Sequence, residues 1–127
     1  MLVEKIAKIL REYEVVIFAY LFGSHARGEA GKLSDIDVAV YLDPSLPQDA
    51  MWDTFLDIAS RLSFRDVKVD VILLNTASYR LAFEVLKGML LFSRDEGMRK
   101  EFTYRILRTY LDRRYYDRRR AELILSR

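Results

Sequence analysis

Apolar residues recur at intervals of three and four at the start of the chain, at Leu2, Ile6, Ile9, Leu10 and Tyr13, and predict a helix over about residues 2–13. The next block, Val15-Val16-Ile17-Phe18-Ala19-Tyr20-Leu21-Phe22, is β-branched and aromatic with no polar alternation. It predicts a strand buried on both faces, as in a sheet covered by helices. Gly23-Ser24 ends that strand, and residues 25–34, with two glycines and little periodicity, predict a short helical turn plus loop. Asp35 to Leu42 predicts a second strand. The turn Asp43-Pro44-Ser45-Leu46-Pro47 leads into a helix through about Phe64, with Met51, Phe55, Ile58 and Leu62 as its buried stripe. A third strand spans Val67 to Leu74, a helix Ser78 to Leu86, and a short strand Gly88 to Phe92. A long helix runs from Asp95 to about Leu125, with Met98, Phe102, Ile106 and Tyr110 on one side. This order of elements predicts an α+β fold, an α/β sandwich with one small mixed sheet packed with helices.

A length of 127 residues predicts a single domain, residues 1–127, with a C-terminal helical segment over about 95–127. With 51% hydrophobic and 31% charged residues, the composition is that of a soluble globular protein. Cysteine is absent, which removes disulfides, thiolate nucleophiles and cysteine-ligated metals; a single histidine, His25, removes any mechanism that needs two. The longest apolar run is far short of a membrane span, and the first residues lack the separate basic and apolar regions of a signal peptide. A cytoplasmic location with no membrane contact is therefore the expectation.

Charge is distributed unevenly. Residues 1–98 hold 11 Lys and Arg against 15 Asp and Glu, whereas residues 99–127 hold 10 against 4. The basic excess lies wholly in the last segment, where Arg113-Arg114 and Arg118-Arg119-Arg120 flank Tyr115-Tyr116. Arginine interleaved with aromatic residues suits a protein contact or a nucleic-acid backbone, and a solvated helix face is the plain alternative. On charge alone the solvated face is favoured.

The chemistry-bearing segment is Gly23-Ser24, ten residues, then Asp35-Ile36-Asp37. Side chains alternate along a strand, so Asp35 and Asp37 project from one face while Ile36, Val38 and Val40 line the other. Two carboxylates opening an otherwise apolar strand repel each other and lose hydration. A divalent cation relieves both costs, and hard oxygen ligands suit Mg²⁺. The third strand offers a further acid, Asp70, also flanked by core residues. Three carboxylates on neighbouring strands can hold two ions, as in phosphoryl or nucleotidyl transfer. Gly23 lets the backbone approach a ligand, and a helix start after Ser24 offers N–H groups to phosphate. Arg27 and Lys32 are candidates for charge-assisted bonds to a triphosphate, with a solvated loop as the alternative. His25 reads as a local hydrogen bonder.

Gly23-Ser24-His25-Ala26-Arg27-Gly28-Glu29-Ala30, followed by Ser34-Asp35-Ile36-Asp37-Val38-Ala39-Val40, resembles the nucleotidyltransferase superfamily with the DNA polymerase beta fold. Within it the chain looks like the minimal nucleotidyltransferases of bacteria and archaea. The resemblance is tight over about residues 15–75. It implies that Gly23, Ser24 and Arg27 hold nucleotide phosphates and that Asp35 and Asp37 bind metal. It makes Asp70 the third carboxylate, a further metal ligand or the general base for the attacking hydroxyl. Two Mg²⁺ ions are implied, with ATP as substrate. Proteins of this look are commonly antitoxins, paired with a small helical HEPN-domain ribonuclease toxin from an adjacent gene, and transfer AMP to a toxin tyrosine. Only this resemblance turns the preference for the basic segment to a protein contact over direct nucleic-acid binding, with a homo-oligomer left open. That resemblance leaves two alternatives open: a small-molecule or RNA acceptor, and an antitoxin that neutralises by binding alone.

Overall fold

The computed structural model describes residues 2–23 and 36–125. The elements are α1 (Leu2–Arg11), β1 (Val16–Phe22), β2 (Ile36–Leu42), α2 (Gln48–Arg61), β3 (Val69–Leu73), a 3₁₀ turn (Leu74–Thr76), α3 (Tyr79–Leu86), β4 (Met89–Ser93) and α4 (Glu96–Leu125). The strands form one sheet in the order β3-β2-β1-β4. β1 is antiparallel to β2 and β4, and β2 is parallel to β3. A parallel neighbour requires a crossover, and α2 supplies it. The fold class is the expected one: a small mixed sheet packed with helices. The short turn expected within residues 25–34 lies outside the described residues.

The sheet is covered on both faces. Val38, Val40 and Leu42 point into a cluster with Ile6 and Leu10 of α1 and Ile58 of α2, with Leu62 just beyond it. Ala39 and Tyr41 point the other way, into a cluster with Ala82 and Val85 of α3 and Phe102 and Ile106 of α4. Each fully buried side chain of this kind contributes about 1.5–3 kcal/mol of transfer free energy. The α2 stripe is as expected, with Ile58 and Leu62 fully buried and Met51 and Phe55 packed at its margin.

One frame shift is local. Val16 pairs with Leu42 while Phe18 pairs with Tyr41, so β1 carries one extra residue, a β-bulge. Val16 therefore joins the α1/α2 cluster while Phe18 joins the α3/α4 cluster, where its ring stacks on Tyr41 with centroids 4.7 Å apart.

β3 is shorter than its sequence pattern at both ends. β3 begins at Val69, because Val67 and Lys68 lead in without strand pairing, although the Lys68 carbonyl accepts a 2.9 Å bond from the Ile36 N–H. The strand ends at Leu73, where the chain tightens into the 3₁₀ turn. There the Asn75 side chain donates to the Leu42 carbonyl at 2.8 Å and accepts from the Leu42 N–H at 2.9 Å, closing the far end of β2.

Candidate active site

The strand registers bring the expected acids to one end of the sheet. Phe22, the last residue of β1, is the partner of Asp37 on β2, and Asp37 is the partner of Asp70 on β3. Asp37 lies two residues before Ala39, and Asp70 two before Ile72, so both carboxylates project from the α3/α4 face of the sheet. They stand beyond that cluster, and both are half-buried. A strand pattern that is apolar in its middle and acidic at its start produces this: the core takes the middle, and the acids take the rim.

Gly23 closes the site from the β1 side. Its φ is +78°, in the left-handed region that suits glycine. A Cβ there would sit 2.5 Å from Asp37 Oδ2. The backbone at Gly23 therefore lies against the carboxylate, an approach that any larger residue would block. Just past the C-terminal end of α3, Gly88 packs tightly on Leu21 and Phe22 and fixes the end of β1.

One neighbour of the site was missed in the sequence. Lys68 Nζ lies 3.9 Å from Asp70 Oδ1, with the two side chains 70% and 46% exposed. An ion pair this exposed is weak, so Asp70 is held only loosely. Lys68 shares a face with Asp70 by the same two-residue alternation that pairs Asp35 with Asp37, and that spacing was the available signal. An open cavity of about 460 Å³ borders this lead-in segment, lined among others by Arg65, Asp66, Lys68 and Val69.

Of the residues expected to act, Gly23, Asp37 and Asp70 are brought together. Ser24, Arg27 and Asp35, with His25 and Lys32, lie outside the described residues. Among the described residues no three acidic or imidazole side chains converge as a ready metal cage. The donor set nonetheless fits a hard cation: hard carboxylate oxygens on adjacent parallel strands, with a glycine backbone pressed against one of them.

The family model described as polymerase beta, nucleotidyltransferase matches residues 4–97. The chain belongs to the polymerase beta nucleotidyltransferase family. It is 37% identical over 83 residues to the protein adenylyltransferase MntA of Shewanella oneidensis, an overlap of 65% of this chain and 58% of that relative. The chain thus spans little more than half the length of the curated relative it matches. Its fold is similar to a chain of a toxin–antitoxin structure with AMP-PNP, with a TM-score of 0.71 at 27% identity, covering 97% of this chain and 98% of that one. It is also similar to a chain from the complex of a tri-AMPylated Shewanella oneidensis HEPN toxin with its MNT antitoxin. There the TM-score is 0.65 at 25% identity, covering 98% and 96% of the two chains. No helix among the described residues is long and apolar enough to cross a membrane.

Proposed function

We propose that this protein is a Mg²⁺-dependent adenylyltransferase that moves AMP from ATP to a tyrosine hydroxyl of a helical HEPN-type toxin, and so acts as its antitoxin. The observation that carries the reading is the row Phe22–Asp37–Asp70 with Gly23 pressed on the Asp37 carboxylate. Family membership supports nucleotidyl transfer. The likeness to an adenylyltransferase and to chains of toxin–antitoxin complexes supports the donor and the class of partner.

Each residue has a part. Asp35 and Asp37 hold the cation with the nucleotide phosphates, and Gly23, Ser24 and Arg27 bind the phosphate oxygens through N–H, hydroxyl and guanidinium donors. When bound, Mg²⁺ neutralises phosphate charge and polarises the α-phosphorus toward attack. Asp70 stands on the edge strand and serves as the third carboxylate of the cation site or as the base at the acceptor. A tyrosine hydroxyl has a pKa near 10 and must lose its proton as it attacks. In the second role an Asp70 oxygen takes that proton while the tyrosine oxygen bonds to the α-phosphorus and the bond to the β-phosphate bridging oxygen breaks, releasing pyrophosphate.

Intact-protein mass spectrometry of the protein mixed with the toxin, ATP and Mg²⁺ tests this. A gain of one or more AMP masses on the toxin is expected. Tight binding with no adduct would replace the reading with a purely stoichiometric antitoxin, and transfer only to RNA or a small hydroxyl compound would replace the acceptor. A double Asp35→Asn, Asp37→Asn variant should lose the tightening of ATP binding by Mg²⁺ in calorimetry while keeping its circular dichroism spectrum.

A further inference from the structure

Two apolar faces of this molecule are left open, and their charges are opposite. The first is the outer side of α4. Phe102 and Ile106 face the core, while Tyr104, Leu107, Leu111 and Tyr115 stand exposed on the opposite side of the helix. From residue 111 to 125 every position is exposed. On the inner side of this part of the helix Tyr110 stacks on Phe83 at 3.8 Å and Asp117 lies 4.0 Å from Arg80. Shallow cavities of about 440 and 260 Å³ lie along the outer stripe, the second lined by Leu111, Arg114, Tyr115 and Arg118. Helices with this much solvent-facing apolar surface draw their stability from packing, and among the described residues this stripe faces solvent.

The second face belongs to α2. Trp52 and Leu56, one turn apart, are 54% and 49% exposed, and Asp49 and Asp53 beside them are exposed as well. An open cavity of about 630 Å³ lies between this face and the end of β3, and its charged lining residues among those described are both carboxylates, Asp49 and Asp53.

We propose that the chain associates head to tail with a second copy of itself, the arginine-flanked outer face of α4 in one copy seating on the aspartate-flanked Trp52–Leu56 face of α2 in the next. Along the outer face of α4 Arg108, Arg114 and Arg118 outnumber Asp112 and Glu122, so it is net basic against the Asp49–Asp53 face, and arginine suits both a carboxylate and the face of an indole. They match in length, since α2 and residues 111–125 of α4 each extend on the order of 20 Å. They cannot meet within one molecule, because α2 packs on the Val38–Val40 side of the sheet and α4 on the Ala39–Tyr41 side. Pairing α4 with α4 instead would set Arg108, Arg114 and Arg118 against the same residues of the other copy. Head-to-tail contact also accounts for the acidic body and the basic segment in one chain. Neither face includes Gly23, Asp37 or Asp70, so the association stands or falls independently of the nucleotide chemistry.

Sedimentation equilibrium of the purified full chain tests this. The wild type should show a concentration-dependent mass above that of the monomer, reduced at high salt. Trp52→Glu and Leu111→Glu change exposed side chains, and each alone should weaken association at least tenfold with an unchanged circular dichroism spectrum. An equimolar mixture of the two retains one intact junction and should form a dimer and nothing larger. A wild type that is monomeric at every concentration, including one that assembles only with a helical partner protein, would overturn the proposal. So would a mixture of the two variants that fails to complement.

Discussion

Asp37 and Asp70 are register partners on adjacent parallel strands, yet their surroundings differ. Asp37 is enclosed between β1 and β3, with Gly23 against its carboxylate; Asp70 is on the edge strand, where among the described residues the exposed Lys68 is the cation within ion-pair reach. The enclosed acid suits a fixed ligand, and the edge acid suits the side from which a second protein arrives. Asp70→Asn should therefore bind ATP within a few-fold of the wild type and lose transfer by about 10²–10⁴-fold, the usual range for removal of a general base. Calorimetry and adduct mass read the two separately. Normal adduct formation by this variant would remove Asp70 from the chemistry.

Gly23→Ala tests the wall of the same site. The new methyl group meets Asp37 Oδ2 at 2.5 Å, and a φ of +78° is unfavourable for alanine. The backbone strain alone costs roughly 1–2 kcal/mol, and displacement of the carboxylate adds a functional loss. The variant should melt a few degrees lower and bind ATP with Mg²⁺ at least tenfold more weakly. Wild-type affinity would show that Asp37 does not need its present position.

How much of this was legible in the chain depends on range. The alternation of Ile36, Val38 and Val40 against Asp37 is a local property with a period of two, so the strand, its core face and its acid were readable. So were the helical stripes through Ile58 and Phe102. The bulge at Ile17 was hidden because β1 is apolar on both faces, so a one-residue shift leaves no polar residue out of place. The contact of Gly23 with Asp37 depends on the pairing of two strands, and Gly-Ser by itself is a common turn. The 3₁₀ turn was hidden for the same reason, since Asn75 finds its partners 33 residues away. The self-association surfaces were half visible: the charge imbalance was in the sequence, but that Trp52 and Leu56 face solvent was not.

Asn75 makes a stability prediction apart from any chemistry. Its amide satisfies both backbone groups of Leu42, a fully buried residue at the end of a core strand. Replacement by alanine leaves a donor and an acceptor without partners where water has limited access. Each such loss costs about 1–3 kcal/mol. Asn75→Ala should thus lower the urea midpoint clearly, with Asn75→Asp intermediate because it retains the acceptor alone. An unchanged midpoint in the alanine variant would mean that water replaces the amide at no cost.

The acid response of the fold should pass through Glu96. This residue opens α4, and its carboxylate accepts hydrogen bonds from the Arg99 guanidinium, which also donates to the Tyr20 hydroxyl at 3.0 Å. The bond from Arg99, above all, lowers the Glu96 pKa from 4.5 to about 2. Because the folded-state value is the lower one, the unfolded chain takes up a proton first as pH falls. The stabilisation is complete above about pH 4.5, declines as acid is added, and is gone once pH passes through about 2. Asp43, lowered by hydrogen bonds from Ser45, acts in the same direction and is common to wild type and variant. Glu96→Gln should therefore be less stable than the wild type at neutral pH, with the gap closing as pH falls from 4.5 toward 2. Urea midpoints for both proteins at pH 7, 4 and 2.5 measure the gap. A gap that stays constant across that range would assign the effect to helix packing and leave the Glu96–Arg99 pair without a share in acid stability.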